Sequence, residues 1–282
     1  MFNVEQQDDG GHVNARAFYH RFAWAYDLLV ERPGGPDVES VVGIFESEGL
    51  ERGSALVDAG CGTAAYAIEL ASYGFAVTAV DRSPELLAEA QVRANKCAVE
   101  VEFACADFTR GWQPRDLVDG VLCRGVLNDL LGDDARERAF RAFAAWLRPD
   151  GVLLADVRDC DSSARRYDGG RTFERTVRRG DDILTFTSRT TVEPGSDVLR
   201  LIERWSGAVD GVPVEQEDRF AMRCWTRESF AALAHAVGFG RVSILDPGAI
   251  GARSDRLVAI AYRWHRRGSF DARPVVRRFI SH

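Results

Sequence analysis

Apolar and polar positions alternate along this chain with two different periods. Residues 55–58 form a short apolar run that ends in an acid, Asp58. Gly60 and Gly62 turn that run into a helical pattern over 63–73. Residues 75–80 make the next apolar run, ending at Asp81. Ser83 then reads as a helix cap, with Pro84 at the first position and Glu85 in the first turn, and that helix reaches about residue 95. Residues 99–104 alternate apolar side chains with Glu100 and Glu102, and 117–123 is a fourth apolar run. A helix over 135–147, capped by Asp133 or Asp134, places Phe140, Phe143, Ala144 and Leu147 on one face. Arg148-Pro149-Asp150-Gly151 ends it, and 152–157 is a fifth strand. Strands that alternate with helices in this way predict a parallel sheet covered on both faces.

The flanks read differently. Residues 1–13 read as a loose end. Residues 14–30 predict one amphipathic helix, with Phe18, Phe22, Ala25, Tyr26 and Leu29 at helical spacing. Arg32 to Pro36 breaks it, and 38–49 is a second helix. After residue 157, the segments 172–177, 183–192, 198–209 and 214–224 are extended and separated by turn residues. Leu199, Leu201, Glu203 and Trp205 on one strand, and Phe186, Ser188 and Thr190 on another, predict a two-faced antiparallel sheet. Thr226 caps a further helix ending at Gly238. Ser229 stands where a capping box has Glu or Gln, so no box is expected. Runs 241–245 and 257–263 make a closing hairpin. The tail, 264–282, is basic, with five arginines and one acid.

Composition narrows the class. With 46% apolar and 28% charged residues, the chain is an ordinary globular protein. A net charge of −7 speaks against a nucleic-acid partner, which needs a basic face. No apolar run reaches membrane-spanning length, and no secretory signal is visible, so a cytoplasmic protein without a membrane partner is expected. The six cysteines show neither C-x-x-C pairs nor metal spacing with histidine; buried free thiols and no metal are the expectation.

Strand, glycine turn and helix together have the shape of a nucleotide-cofactor site. The same pair of glycines also serves as a plain turn. Gly60-Cys61-Gly62-Thr63-Ala64-Ala65 fits the dinucleotide pattern, yet Asp58 would repel a pyrophosphate over the turn. A ligand with ammonium and sulfonium groups would find it a partner. Val57-Asp58-Ala59-Gly60-Cys61-Gly62-Thr63 resembles the first motif of class I S-adenosylmethionine (SAM)-dependent methyltransferases. The family often has a third glycine where this chain has Ala64. Leu147-Arg148-Pro149-Asp150-Gly151, followed by an apolar strand, resembles the family's later motif and favours SAM over NAD.

The resemblance covers residues 14–160 and 225–263. It implies a Rossmann-like, doubly wound, seven-stranded and mostly parallel sheet with an antiparallel last strand, and an antiparallel β cap inserted after strand 5. The core would be 1–160 and 225–263 with a helical lid over 14–50, the cap 161–224, and the tail 264–282. SAM, with S-adenosylhomocysteine (SAH) as product, is the implied cofactor. By the same resemblance Asp81 holds the ribose, Asp107 the adenine amine, and Phe108 packs on the ring. The implied cofactor set is completed by Tyr19, Tyr26, Asp58, Gly60, Cys61, Gly62, Arg82, Cys123 and Asn128. Asp81 and Asp107 are equally turn residues by position, and the lid aromatics equally plain packing.

Beyond the fourth strand lies Arg124-Gly125-Val126-Leu127-Asn128-Asp129, where an open α/β sheet binds its ligands. Asp129 and Tyr19 are the candidate catalytic residues. Asp129 could serve as a base if burial raises its pKa, bind a substrate ammonium, or pair with Arg124. Arg124, Arg158 and Arg223, with Trp225, are the candidate acceptor-binding residues, and three guanidiniums at one mouth would suit a carboxylate-bearing small molecule. Pairing of the same arginines with Asp129, Asp156 or Asp159 is the alternative. Methyl transfer to N or O of a small molecule is the expected function. An NAD-dependent oxidoreductase, or a SAM-fold cyclase or regulatory binder, remains open, as does a homodimer formed through the cap.

Overall fold

The computed structural model describes residues 16–30 and 35–264. Two sheets account for its strands. The first contains β1 (Ala55–Ala59), β2 (Ala76–Asp81), β3 (Glu102–Cys105), β4 (Val118–Arg124) and β5 (Leu147–Arg158). The second contains β6 (Arg171–Arg179), β7 (Asp182–Val192), β8 (Val198–Val209) and β9 (Val212–Arg223). Then β10 (Phe239–Leu245) and β11 (Arg256–Arg263) return to the first. Its order is β10-β11-β5-β4-β1-β2-β3. Strands β1 to β5 pair in parallel, and β11 runs antiparallel to both neighbours. The chain order reverses at β1, which lies between β2 and β4; such a reversal opens a crevice at the carboxyl ends of the two central strands.

The helices are α1 (Tyr26–Leu29), α2 (Gly35–Ser47), α3 (Ala65–Ser72), α4 (Pro84–Cys97), α5 (Asp133–Trp146), α6 (Cys160–Tyr167) and α7 (Arg227–Ala236). The two faces of the sheet have separate cores. Val57, Val121, Leu153 and Ala259 pack with Phe140, Phe143 and Phe230 on one side. Leu56, Leu122, Leu154 and Val258 pack with Val41, Phe45 and Ile68 on the other. Adjacent strand residues therefore point to opposite, equally apolar layers, which is why these runs read as continuous rather than alternating.

The sequence reading holds for most elements and fails at five. The predicted single helix over 14–30 is instead two 3-10 turns, Ala17–Tyr19 and Ala23–Ala25, followed by the one-turn α1. Its apolar side chains face two bodies at once, so no single helical stripe serves. The helix α5 is capped by the backbone of Gly132; Asp133 and Asp134 occupy its first turn, where their charge suits the helix dipole. Leu147 to Gly151 is drawn into β5, with Asp150 in the left-handed region at φ 67°, so the strand begins before the proline. A capping box does form at α7: Thr226 Oγ1 accepts from the Ser229 amide and Ser229 Oγ from the Thr226 amide, each at 3.0 Å. Serine does the work of the expected glutamate. The sequence also gave no sign of α6, which precedes the second sheet.

The second sheet is an antiparallel meander, β6-β7-β8-β9, as the alternation predicts. Its inner face packs on the N-terminal segment: Val177, Leu184, Phe186, Trp205 and Val214 surround Ala17, Phe18, Phe22 and Leu29. Its outer face is charged, with Arg204 and Arg219 both bonded to Glu217. The lid is thus clamped between cap and core. The loose end 1–13 and the basic tail beyond Trp264 lie outside the described residues; so does the first part of the break read at 32–36, while Gly35 and Pro36 already belong to α2.

Candidate active site

An open cleft of about 710 Å³, its mouth included, lies at the reversal point of the sheet. Five segments wall it: the turn after β1, the end of β2, the turns after β3 and β4, and the lid. Gly60 and Gly62 both have positive φ, 74° and 56°. At Gly60 a Cβ would stand 2.3 Å from Val126 Cγ2, so the turns after β1 and β4 approach too closely for any side chain. Ala64, where the family often has glycine, is left-handed at φ 56°.

Asp81 accepts from the Gly62 amide and the Ser83 amide, both at 2.9 Å, and lines the cleft. The turn and the acid are therefore one unit. Asp107 also lines the cleft; its Oδ1 accepts from Thr109, amide at 2.9 Å and hydroxyl at 2.7 Å. Phe108 and Arg82 complete that end.

The lid is latched to the glycine turn. Thr63 Oγ1 donates to Asp27 Oδ1 at 2.7 Å, Arg93 on α4 pairs with Asp27, and Arg93 Nη1 donates to the Thr63 carbonyl at 2.8 Å. The Ser83 hydroxyl bonds the Tyr19 carbonyl. Tyr19 and Tyr26 thereby face the cleft.

Asp129 sits at the opposite wall, 2% exposed. Its Oδ2 accepts from the Tyr19 hydroxyl at 3.1 Å, while Oδ1 is buried without a hydrogen-bond partner. Burial raises its pKa; Arg16, the Tyr19 hydrogen bond, Arg158 and Arg82 oppose that rise without cancelling it. Burial and the Asp129 charge push the Tyr19 phenol well up, which suits its hydroxyl to donate to the carboxylate.

Several sequence candidates stand elsewhere. Asp58 is 5% exposed and is not among the cleft residues; the amide of Ala67 on α3 hydrogen-bonds its carboxylate. Burial and the neighbouring Asp81 push it up to about 7. Cys61 and Cys123 do not line the cleft, and burial raises both thiols. Cys97 and Cys105, by contrast, are exposed, against the expectation of buried thiols throughout. Asn128 is a brace: its Oδ1 accepts from the Arg158 amide at 2.7 Å and its Nδ2 donates to the Gly125 carbonyl at 3.3 Å.

The three arginines do not converge. Arg158 bonds Tyr167 and Asp255, at 3.0 and 3.1 Å. Arg223 bonds Asp197 and Asp133, at 2.7 and 2.5 Å. Trp225 is 1% exposed, packed on Phe140 and Phe230, with its indole N–H to the Leu127 carbonyl. Arg158 and Arg223 join the cap to the core, and Trp225 packs within the core. Only Arg124 of the set lines the cleft. Asp156 holds its Nε and Nη2 at 3.1 and 2.9 Å, Tyr66 lies under it at 4.5 Å, and its Nη1 is buried without a partner.

Two residues that the sequence did not single out as functional are linked to Tyr19 and Asp129, Arg16 directly, 5.8 Å from the Tyr19 ring, and Glu203 through Arg16. Arg16 and Glu203 form a buried ion pair. A charged side chain on the apolar stripe of β8 was the available signal for Glu203; nothing marked Arg16. Among the described residues no group of three or more His, Cys, Asp or Glu could hold a metal ion, and no helix is long and apolar enough to cross a membrane.

Comparison with known proteins agrees with this geometry. Residues 56–151 match the family described as "Methyltransferase domain". A putative methyltransferase of Geobacillus sp. (strain WCH70) is 35% identical over 142 residues, which is 49% of this chain and 57% of that protein. The matched stretch therefore spans little more than half of that curated relative. Among solved structures, the sugar N-methyltransferase KedS8 from Streptoalloteichus sp. superposes with a TM-score of 0.71 at 17% identity, over 94% of this chain and 100% of that one. SAM-bound CalS10, an amino pentose methyltransferase from Micromonospora echinaspora, gives a TM-score of 0.63 at 21% identity, over 86% and 98%. At these identities the likeness concerns the fold, cap included.

Proposed function

We propose that the chain is a class I SAM-dependent methyltransferase, a reading supported by the match of residues 56–151 to a methyltransferase domain, and that it methylates a nitrogen or oxygen atom of a small molecule, an amine first of all. One observation carries the choice of acceptor. Asp129 lines the same cleft as the glycine turn and Asp81, and its Oδ1 is buried without a hydrogen-bond partner. A polar atom orphaned in this way costs on the order of 1–3 kcal/mol, which a donor on a ligand would recover. An ammonium or a hydroxyl is such a donor.

The residues fit SAM. Gly60 and Gly62 would let the backbone come close, Asp81 would accept from the ribose hydroxyls, and Asp107 and Phe108 would hold the adenine. Arg124 moves from the acceptor to the cofactor in this reading. Its free Nη1 lies beside Tyr66 in the first turn of α3, next to the glycine turn, and suits the carboxylate of the methionine moiety. Asp58 acts from behind the turn as a negative charge. With Arg158 and Arg223 tied into ion pairs, the grounds for a carboxylate-bearing acceptor fall away.

SAM supplies an electrophilic methyl group on a cationic sulfur. The chain's own part is to align the acceptor and free its lone pair. Asp129, its pKa raised, takes a proton from the acceptor, and Tyr19 fixes the carboxylate by its hydrogen bond. The lid, latched by Asp27 and Arg93, excludes water.

Calorimetry with SAM and SAH tests the cofactor. Methyl-labelled SAM with a panel of amines, amino sugars and their N-acetyl counterparts tests the transfer. Label in the free amines and none in the N-acetyl compounds is the expected result. Uptake of neither SAM nor SAH would overturn the reading.

A further inference from the structure

The inner stripe of β8 reads Leu199, Leu201, Glu203, Trp205, and all four are buried. Glu203 is wholly buried in that apolar row, opposite Ser188 on β7 and Asp218 on β9. Its partner comes from the lid. Arg16 Nε donates to Oε2 at 3.2 Å, and Nη2 pairs with Oε1. Burying such a pair in place of apolar side chains seldom stabilises a fold, so its presence asks for another reason.

Arg16 supplies one. It lies 4.2 Å over the Phe18 ring and 5.8 Å from the Tyr19 ring, and Tyr19 carries the hydrogen bond to Asp129. The chain Glu203, Arg16, Tyr19, Asp129 runs from the cap, through the lid, to the cleft. We propose that Glu203 is a positioning residue: by fixing Arg16 against Tyr19 it sets the orientation and proton affinity of Asp129, so that the base is competent only when the cap is seated.

The charges agree with the geometry. Burial pulls the Arg16 guanidinium down, but Glu203, Tyr19 and Asp129 more than offset that, so it stays charged. Asp129 is faced by Arg16 and Tyr19 from the lid, by Arg158 from β5 and by Arg82 from the turn after β2. Tyr26 stands in the same aromatic group. Among the influences that hold the Asp129 carboxyl down against burial, Arg16 is the foremost. If Arg16 is lost, or released towards solvent, Asp129 holds its proton more tightly, and less of it is the free carboxylate that can accept a proton at neutral pH.

This rests on Asp129 being the base, and its test needs no acceptor. Carbon-13 NMR of aspartate-labelled protein, with Asp129→Asn to assign the signal, follows the Asp129 titration in the SAH complex and in the free protein. The double variant Arg16→Met/Glu203→Leu replaces the pair by apolar side chains and preserves the packing. Its Asp129 midpoint is expected to rise by about one pH unit, a tenfold change in proton affinity. Glu203→Leu alone is expected to give the same rise, because Arg16 leaves for solvent. Arg16→Gln, which keeps hydrogen-bonding capacity, is the second route should the double variant not fold, with the same rise expected. An unchanged midpoint in these variants would reduce the pair to a structural contact, and a fall in Glu203→Leu would remove Glu203 from the chain. SAH binding is read separately by calorimetry, so failure of the methyltransferase reading and failure of this one give different results.

Discussion

The hydroxyl of Tyr19 lies 3.1 Å from Oδ2 of Asp129, across 110 residues of sequence. The bond joins the lid to the wall beyond β4 and leaves the other carboxylate oxygen buried without a partner. Tyr19→Phe keeps the ring that closes the lid and deletes the donor. The SAH dissociation constant is expected to stay within about threefold, while kcat falls on the order of tenfold, the effect of ~1.4 kcal/mol. The acidic limb of the kcat profile moves to higher pH, because the hydrogen bond that lowers the Asp129 pKa is gone.

Asp58 makes stability depend on pH. Burial, then the Asp81 charge, raises its pKa from the ordinary carboxylate value to about 7 in the fold. A group raised in this way stabilises the fold fully below its unfolded pKa, and that contribution is lost as pH rises through the folded value. Asp58→Asn has no proton to lose. Its stability advantage over the wild-type apoprotein is expected to grow between about pH 4 and pH 7, by up to ~1.4 kcal/mol per pH unit, and then level off. Melting curves at several pH values measure it, and a gap that is flat with pH would contradict the assignment.

Gly60 reports on the contact between the turns after β1 and β4. A Cβ there meets Val126 Cγ2 at 2.3 Å, at φ 74°. Gly60→Ala is expected to lower the melting temperature and weaken SAH binding by more than tenfold. Adding Val126→Ala removes the two methyl clashes and leaves the remaining Cβ contact at 3.2 Å and the left-handed backbone, the latter costing about 1–2 kcal/mol. Partial recovery in the double variant is the expected outcome, and none would point to a different cause.

The latch on the lid is polar and partly buried. Asp27→Ala frees both Arg93 and Thr63 Oγ1 from it. The lid should then open more often. Trypsin cleavage at the exposed Arg21 is expected to accelerate, and SAH, by holding the lid, to slow it again. A cleavage rate equal to that of the wild type would remove the latch from the account.

Much of the fold was written locally. Five apolar runs, two glycines before a helix and an acid closing β2 are short-range patterns, and each sets one element without reference to the others. Gly62 and Asp81 meet because parallel β1 and β2 place their ends side by side, so a motif and a strand end were enough to find them. The cap strands were equally legible, because alternation shows wherever one face of a sheet is buried. Reading α5 from its apolar face likewise needed no knowledge of its neighbours.

What the chain order could not reveal is which charge meets which. Arg124, Arg158 and Arg223 follow strand ends in the same way, yet Asp156, Asp255 and Asp197 claim them differently, from 32, 97 and 26 residues away. A guanidinium has no preferred partner until folding fixes which carboxylate shares its desolvated space. The lid gave up its helix for the same kind of reason, because Phe18 and Leu29 pack under the cap while Tyr19 and Tyr26 turn to the cleft. Periodicity determines the elements, since it depends on neighbours within a turn or two. The tertiary structure alone decided that Glu203 reaches Arg16 and that Asp129 keeps one oxygen unpaired, since both depend on water being excluded where distant segments close together.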